Sequence, residues 1–113
     1  MEEIFESSVR SAGDLAGVFE FDGDTSYFYL YRVDASEGNK VLDAIKVSVG
    51  EPDYAESDIE IRWSADESLV FLQIAGQTCA VFDCEGAQKF GGDYVAGVAP
   101  KVPPGILARL LPE

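Results

Sequence analysis

Carboxylates dominate the side chains whose chemistry could define a site in this sequence. The 113 residues include 21 Asp and Glu, 8 Lys and Arg and no His, for a net charge of −13. Without an imidazole, Ser–His and Cys–His nucleophilic catalysis and zinc catalysis on His ligands are excluded. Paired carboxylates could act as general acid and base, but among so many acids close pairs are inevitable. We therefore expect a non-enzymatic protein, with a carboxylate enzyme that needs a deep pocket as the alternative.

The densest acidic stretch covers residues 51–60, where five acids and no base surround Tyr54. It could be a solvated loop that keeps the protein soluble. It could also be a docking surface, in which Tyr54 is a rigid aromatic anchor and the neighbouring carboxylates steer a basic partner. On that hypothesis the partner-binding residues are Glu51, Asp53, Tyr54, Glu56 and Asp58.

A second candidate begins at the sequence Asp22-Gly23-Asp24-Thr25, whose two acids have the spacing seen in calcium loops. Hard cations need six or more oxygen ligands, and the twelve-residue loop of an EF-hand is not visible here. Both a plain hairpin turn and a weak cation site remain open. The possible ligand or cation site consists of Asp22, Asp24, Tyr27 and Tyr29. The sequence indicates no metal-ligand set and no cofactor.

The two cysteines, Cys79 and Cys84, have a spacing that could place them on either side of a tight turn. In a reducing cytosol we expect one buried thiol and one turn residue. A disulfide, or half of an intermolecular metal site, is the alternative.

The charge also indicates which partners to expect. A strongly acidic surface repels phosphate backbones and anionic lipids, so we expect neither nucleic-acid nor membrane binding. Apolar runs such as Leu69-Val70-Phe71-Leu72 are far below the ~20 residues of a transmembrane helix. The acidic beginning, Met1-Glu2-Glu3, differs from the basic start of a signal peptide, so we predict a cytoplasmic protein. The charge disfavours self-association, although an edge strand or an apolar helix could still form a weak homodimer.

Strand patterns dominate from about residue 17 to residue 83. Residues 26–33 place tyrosines on one face and Phe28 and Leu30 on the other, which indicates a central strand. Residues 34–39 read as a loop. Pro104 can begin a short apolar helix that either caps the sheet or docks a partner. We predict a single domain over 1–113 that is mainly antiparallel β, with about six strands in a sandwich or partly open barrel and a short C-terminal helix. An α+β arrangement is the alternative.

Several segments resemble a set of small bacterial proteins classed as a domain of unknown function. The most specific are the Asp-Gly-Asp-Thr turn that leads into aromatics at 22–29 and the Ile-Arg-Trp-Ser segment at 61–64. Residues 42–45 and 80–83 add to a resemblance that covers about residues 19–83. The resemblance implies a bacterial, cytoplasmic origin and supplies no activity and no site residues.

Charge and size together favour a protein-binding module that engages a basic partner. An immunity or inhibitor protein would fit this description. The alternative is a small-ligand or cation-binding β domain that uses the tyrosine row (Tyr27, Tyr29, Tyr31) or the Asp22/Asp24 turn.

Overall fold

The computed structural model describes residues 4–33, 41–49, 54–86, 88–92 and 102–110. Eight strands form two antiparallel sheets of four, each with its strands in sequence order. The first sheet contains β1 (Ile4–Val9), β2 (Leu15–Phe21), β3 (Thr25–Arg32) and β4 (Val41–Val49). The second contains β5 (Ile59–Trp63), β6 (Leu69–Ile74), β7 (Gln77–Asp83) and β8 (Gln88–Gly91), and α1 (Pro104–Leu110) follows. The prediction of a mainly antiparallel sandwich with a short C-terminal helix is confirmed, with eight strands instead of about six.

The two additional strands, β1 and β8, lie at sheet edges. In β1 the pairing of Ile4 with Phe21 continues to that of Val9 with Ala16, yet Ile4 is the only buried residue of this strand. In β8 no residue is fully buried. The predicted loop at 34–39 lies outside the described residues.

The inner faces of the two sheets form the main core. The rings of Phe28 and Phe82 meet with centroids 5.1 Å apart, so that an aromatic of the first sheet contacts one of the second. The sheets approach closely at Gly17, where a Cβ would lie 2.7 Å from a methyl of Val70 and 3.0 Å from one of Ile61. Such a distance is shorter than van der Waals contact, so this position requires glycine for its size.

Polar contacts join the two sheets along both sides. On one side the Trp63 indole donates to the Ser8 carbonyl at 3.1 Å, and the guanidinium carbon of Arg10 lies 5.8 Å from the centre of the Trp63 ring. On the other side the Lys89 ammonium donates to Asp43 at 2.9 Å and to the Ala44 carbonyl at 3.1 Å. These contacts link β1 to β5 and β4 to β8, and they fix how the sheets face each other.

Helix α1 packs on the outer face of the second sheet. Ile106 contacts a small second core, whose buried members are Leu69, Phe71, Val81 and Val102. Arg109 donates to the Ser68 hydroxyl at 3.2 Å and lies 3.7 Å from a carboxylate oxygen of Asp83. Of the two predicted roles for this helix, covering the sheet accounts for Ile106, whereas Leu107 remains exposed.

The two cysteines are free thiols, one buried and one at a turn, as expected. Burial raises the pKa of the Cys79 thiol to about 12. Cys84 follows β7 directly and is half-buried, and partial burial raises the pKa of its thiol as well. Neither thiol therefore has the lowered pKa of a nucleophilic cysteine.

Candidate functional site

The two acidic candidates lie at the same end of the sandwich. The Tyr54 hydroxyl lies 2.7 Å from the Ser26 hydroxyl and 3.3 Å from the Ser48 hydroxyl. Ser26 is next to the Asp22–Asp24 turn at the start of β3, and Ser48 is near the end of β4. These hydrogen bonds thus attach the segment that begins at Tyr54 to the first sheet, beside the Asp22–Asp24 turn. We call this region, with its described carboxylates Asp22, Asp24, Glu56 and Asp58, the acidic end.

Tyr54 itself is part of the core, which corrects its expected role as an aromatic anchor for a partner. Its side chain is only 8% exposed and meets the Phe19 ring edge-on, with centroids 6.1 Å apart. A tyrosine can bury its ring and still satisfy its hydroxyl with a polar partner. The Tyr54 ring therefore anchors the acidic segment by packing in the core of the protein.

Local hydrogen bonds occupy some of the carboxylates at the acidic end. Asp22 accepts from the backbone amides of Thr25 and Asp24, each at 2.9 Å, and these bonds lower the pKa of its carboxyl group. Gly23 has a φ of +100°, which glycine adopts readily in such a turn. Asp58 accepts from the Ala55 amide at 2.9 Å across a single 3₁₀ turn. The hairpin interpretation of the Asp22–Asp24 turn accounts for these contacts.

The other predicted partner-binding residues take no part in these local hydrogen bonds or are not described by the structure. Glu56 is exposed within the 3₁₀ turn, while Glu51 and Asp53 lie outside the described residues. Within the described ranges, no three Asp, Glu, Cys or His side chains come together in a group that could hold a metal ion.

The tyrosine row lies on the outer face of the first sheet, away from the core. Tyr27 and Tyr29 stack with ring centroids 5.7 Å apart and planes inclined by 20°. Burial, followed by the nearby Glu20 charge, raises the pKa of the Tyr29 hydroxyl. Glu20 pairs with Tyr27 across the two strands, so that this carboxylate lies beside the tyrosine row.

Beside this group the outer face is concave. An open depression of about 560 Å³, which we call the outer-face depression, crosses all four strands of the first sheet. Its lining is mostly apolar: Phe5, Ser7, Val9, Ala16, Val18, Glu20, Tyr29, Tyr31, Val33 and Val41. Strand pairing explains the arrangement, because Ser7 pairs with Val18 and Val18 pairs with Tyr29 on the next strand. Sequence reasoning found the tyrosines but missed β1, whose alternating Phe5, Ser7 and Val9 were the available signal.

Comparison with known proteins places the chain in a family. A family model described as an uncharacterized protein conserved in bacteria (DUF2251) matches residues 1–94. The chain belongs to this family. The DUF2251 match confirms the resemblance noted over 19–83 and extends it across all eight strands, so that it includes the acidic end and the outer-face depression. No curated protein and no solved structure gives a significant match.

A smaller hollow of about 160 Å³ has two acidic residues in its lining, Asp43 and Asp83. Burial acts to raise the pKa of the Asp43 carboxyl group, but the net pKa is lowered. The ion pair of Asp43 with Lys89 contributes to this lowering. Asp83 accepts from the amides of Glu85 and Gly86 at 3.1 and 2.9 Å. Both carboxylates thus hold local structure, and the hollow is too small for most substrates.

The described helix is short. α1 has seven residues, and the described part of the chain contains no helix with the length and hydropathy needed to cross a membrane.

Proposed function

We propose that this DUF2251 protein is a non-enzymatic binding module that engages a basic protein partner through the acidic end. One observation carries the proposal: the hydrogen bonds of Tyr54 to Ser26 and Ser48 hold the acidic segment beside the Asp22–Asp24 turn. Two stretches that are separate in sequence therefore contribute carboxylates to one surface. Clustered negative charge accelerates the encounter with a positively charged partner.

The distribution of basic residues supports this choice of surface. Four of the eight bases already form ion pairs: Arg10 with Asp14, Arg62 with Glu60, Lys89 with Asp43, and Arg109 with Asp83. One pair uses Glu60, the last acid of the stretch 51–60, and none uses Asp22, Asp24, Glu56 or Asp58. The chain as a whole carries a net charge of −13, which attracts a cationic protein, and an immunity or inhibitor role, in which the protein neutralises a basic target, would use it. Free Cys79 and Cys84 fit the reducing cytoplasm in which we place this role.

The experiment begins with affinity capture at low and at high salt to obtain the basic partner. Association rates are then measured by stopped-flow for Glu56→Gln and for the matched control Glu85→Gln, which removes one exposed charge from the turn after β7. We expect Glu56→Gln to slow association and to flatten its dependence on ionic strength, because rim charges act mainly on the encounter rate. The control should have the smaller effect. Equal effects of the two variants would contradict docking at the acidic end.

A second candidate function, small-ligand binding, is favoured by the outer-face depression. Ligand sites are concave and mostly apolar, with a few polar groups, and commonly enclose about 300–1,000 Å³. The depression, at about 560 Å³, falls within that range and contains the predicted tyrosines Tyr29 and Tyr31.

A further inference from the structure

We propose that the outer-face depression binds an amphipathic organic cation, namely a primary amine attached to an aromatic or short aliphatic group. This inference rests on the small-ligand function above and names its ligand class. It uses a face of the first sheet that the docking of a basic protein at the acidic end does not require.

The apolar part of the ligand follows from the lining. Val9, Val18 and Val41 come from three strands and present aliphatic surface around the same hollow. Phe5 and Val9 are 60% and 52% exposed, so apolar area on this face is in contact with water. Covering it with a ring or a short chain would release that water, which favours binding of an apolar group.

The second sheet provides an internal comparison. Its outer face is covered by α1 and by the buried Val102, whereas the described residues place no element over the depression. Within the described ranges, the two outer faces of the sandwich thus differ in their covering, and the first presents an apolar concavity.

The cationic part follows from Glu20, the one charged residue among the described residues that line the depression. Glu20 is half-buried and pairs across the sheet with Phe5 on one side and Tyr27 on the other. Glu20 and Tyr29 line the depression together, and the Glu20 carboxylate has several lone pairs that can accept from an ammonium group. The stacked rings of Tyr27 and Tyr29 add a surface that favours a cation over a neutral group.

The net charge of the chain also favours a cationic ligand. A chain of net charge −13 attracts cations and repels carboxylates and phosphates of similar size. The nearest basic residue in the strand register is Lys46, which pairs with Tyr27 but does not line the depression. A fatty acid or a nucleotide would therefore place its anionic group beside Glu20, and the described part of the lining offers no cation to receive it.

The test uses three probes of the same shape and different charge: phenethylamine, phenethyl alcohol and hydrocinnamate. Each is titrated into the full chain and followed by ¹H–¹⁵N NMR up to about 10 mM, a range that detects millimolar affinities. We expect phenethylamine to bind most tightly, the alcohol weakly and hydrocinnamate least. The perturbed amides should include those of Ser7, Val18 and Glu20, and not those of the Asp22–Asp24 turn.

Variants assign the charge effect to one carboxylate. Glu20→Gln should weaken phenethylamine about tenfold and leave the alcohol nearly unchanged, as expected for the loss of a charge-assisted hydrogen bond. Glu85→Gln removes the same charge on the second sheet and should have little effect on either probe. If Glu20→Gln does not fold, Tyr29→Phe keeps the ring and removes a lining hydroxyl oxygen close to the Glu20 charge, and it should weaken the amine selectively.

The outcomes separate the two levels of the proposal. Equal binding of amine and alcohol, or equal losses in Glu20→Gln and Glu85→Gln, would overturn the cation inference and leave small-ligand binding standing. No binding by any probe would overturn both. Concentration-dependent changes at the same amides without ligand would show a second copy of the chain on this face and would also overturn the inference.

Discussion

The Tyr54 hydroxyl lies 2.7 Å from the Ser26 hydroxyl, and both groups are buried at the point where an acidic segment meets the first sheet. Ser26 is fully buried, so its hydroxyl depends on protein partners. The contact spans 28 positions in sequence and fixes the acidic end on a rigid strand.

This contact should make a measurable contribution to stability. We expect Tyr54→Phe to lower the free energy of unfolding by about 1–2 kcal/mol, because it removes the partner of the buried Ser26 hydroxyl. Combining it with Ser26→Ala should cost less than the sum of the two single changes. Urea denaturation of the four proteins of this cycle measures the coupling. Strictly additive losses would show that the two hydroxyls do not interact.

Two aspartates should make the protein sensitive to acid. Amide and hydroxyl donors of Ser68, followed by the Ser64 hydroxyl, lower the pKa of Asp66 to about 2. The Arg10 guanidinium, which donates to both carboxylate oxygens at 2.7 Å, lowers the pKa of Asp14 to about 2. An unfolded Asp titrates near pH 4, so each contribution is present above that value and is lost as the pH falls from about 4 to about 2.

We therefore expect stability to decline through that window, and Asp66→Asn and Asp14→Asn to make the decline shallower. Urea midpoints at a series of pH values measure the slope, with Glu85→Gln as a control that should keep the slope of the unmodified protein. A slope that Asp66→Asn leaves unchanged would assign the acid sensitivity to other groups.

The close approach of the sheets at Gly17 predicts an asymmetry between two glycines. Gly17→Ala should destabilise the fold by about 1–3 kcal/mol, because its Cβ would overlap a methyl of buried Val70 and crowd half-buried Ile61. Gly105→Ala adds a methyl to α1 where nothing lies within 4 Å, and it should be neutral or stabilising by up to about 1 kcal/mol. Thermal unfolding of the two variants is the measurement, and a neutral Gly17→Ala would mean that the sheets can separate slightly at little cost.

Sequence pattern predicted the strands whose side chains alternate strongly and failed where alternation is weak or interrupted. In β3 the aromatics alternate, and the predicted central position and both faces are correct. In β4 strict alternation would put Val47 and Val49 on the same face, yet Val47 is fully buried and Val49 is 64% exposed. The register of β4 shifts between the partners of Ser26 and Tyr27, which leaves an extra residue at Val47. A bulge of this kind turns every following side chain to the opposite face, and alternation alone does not reveal it.

The candidate sites show a similar limit. The acidic segment and the Asp22–Asp24 turn were both visible as composition, but their proximity depends on the Tyr54 contacts with Ser26 and Ser48, which connect separate parts of the chain. The outer-face depression required β1, whose short alternation of Phe5, Ser7 and Val9 includes a polar residue and is a weak strand signal by itself. The positions of both candidate sites therefore depend on contacts between residues far apart in sequence, which local sequence patterns do not reveal.

The buried thiol of Cys79 is an intrinsic probe of transient opening of the second sheet. A thiol with a pKa of about 12, enclosed in the middle of β7, reacts with an alkylating reagent only while the second sheet is transiently open. Half-buried Cys84, five residues further on, reacts from the closed state to a greater extent. The ratio of the Cys79 labelling rate to the Cys84 labelling rate would thus report how often the second sheet opens, without any added probe. A bound partner or ligand that stabilises the folded state should lower this ratio.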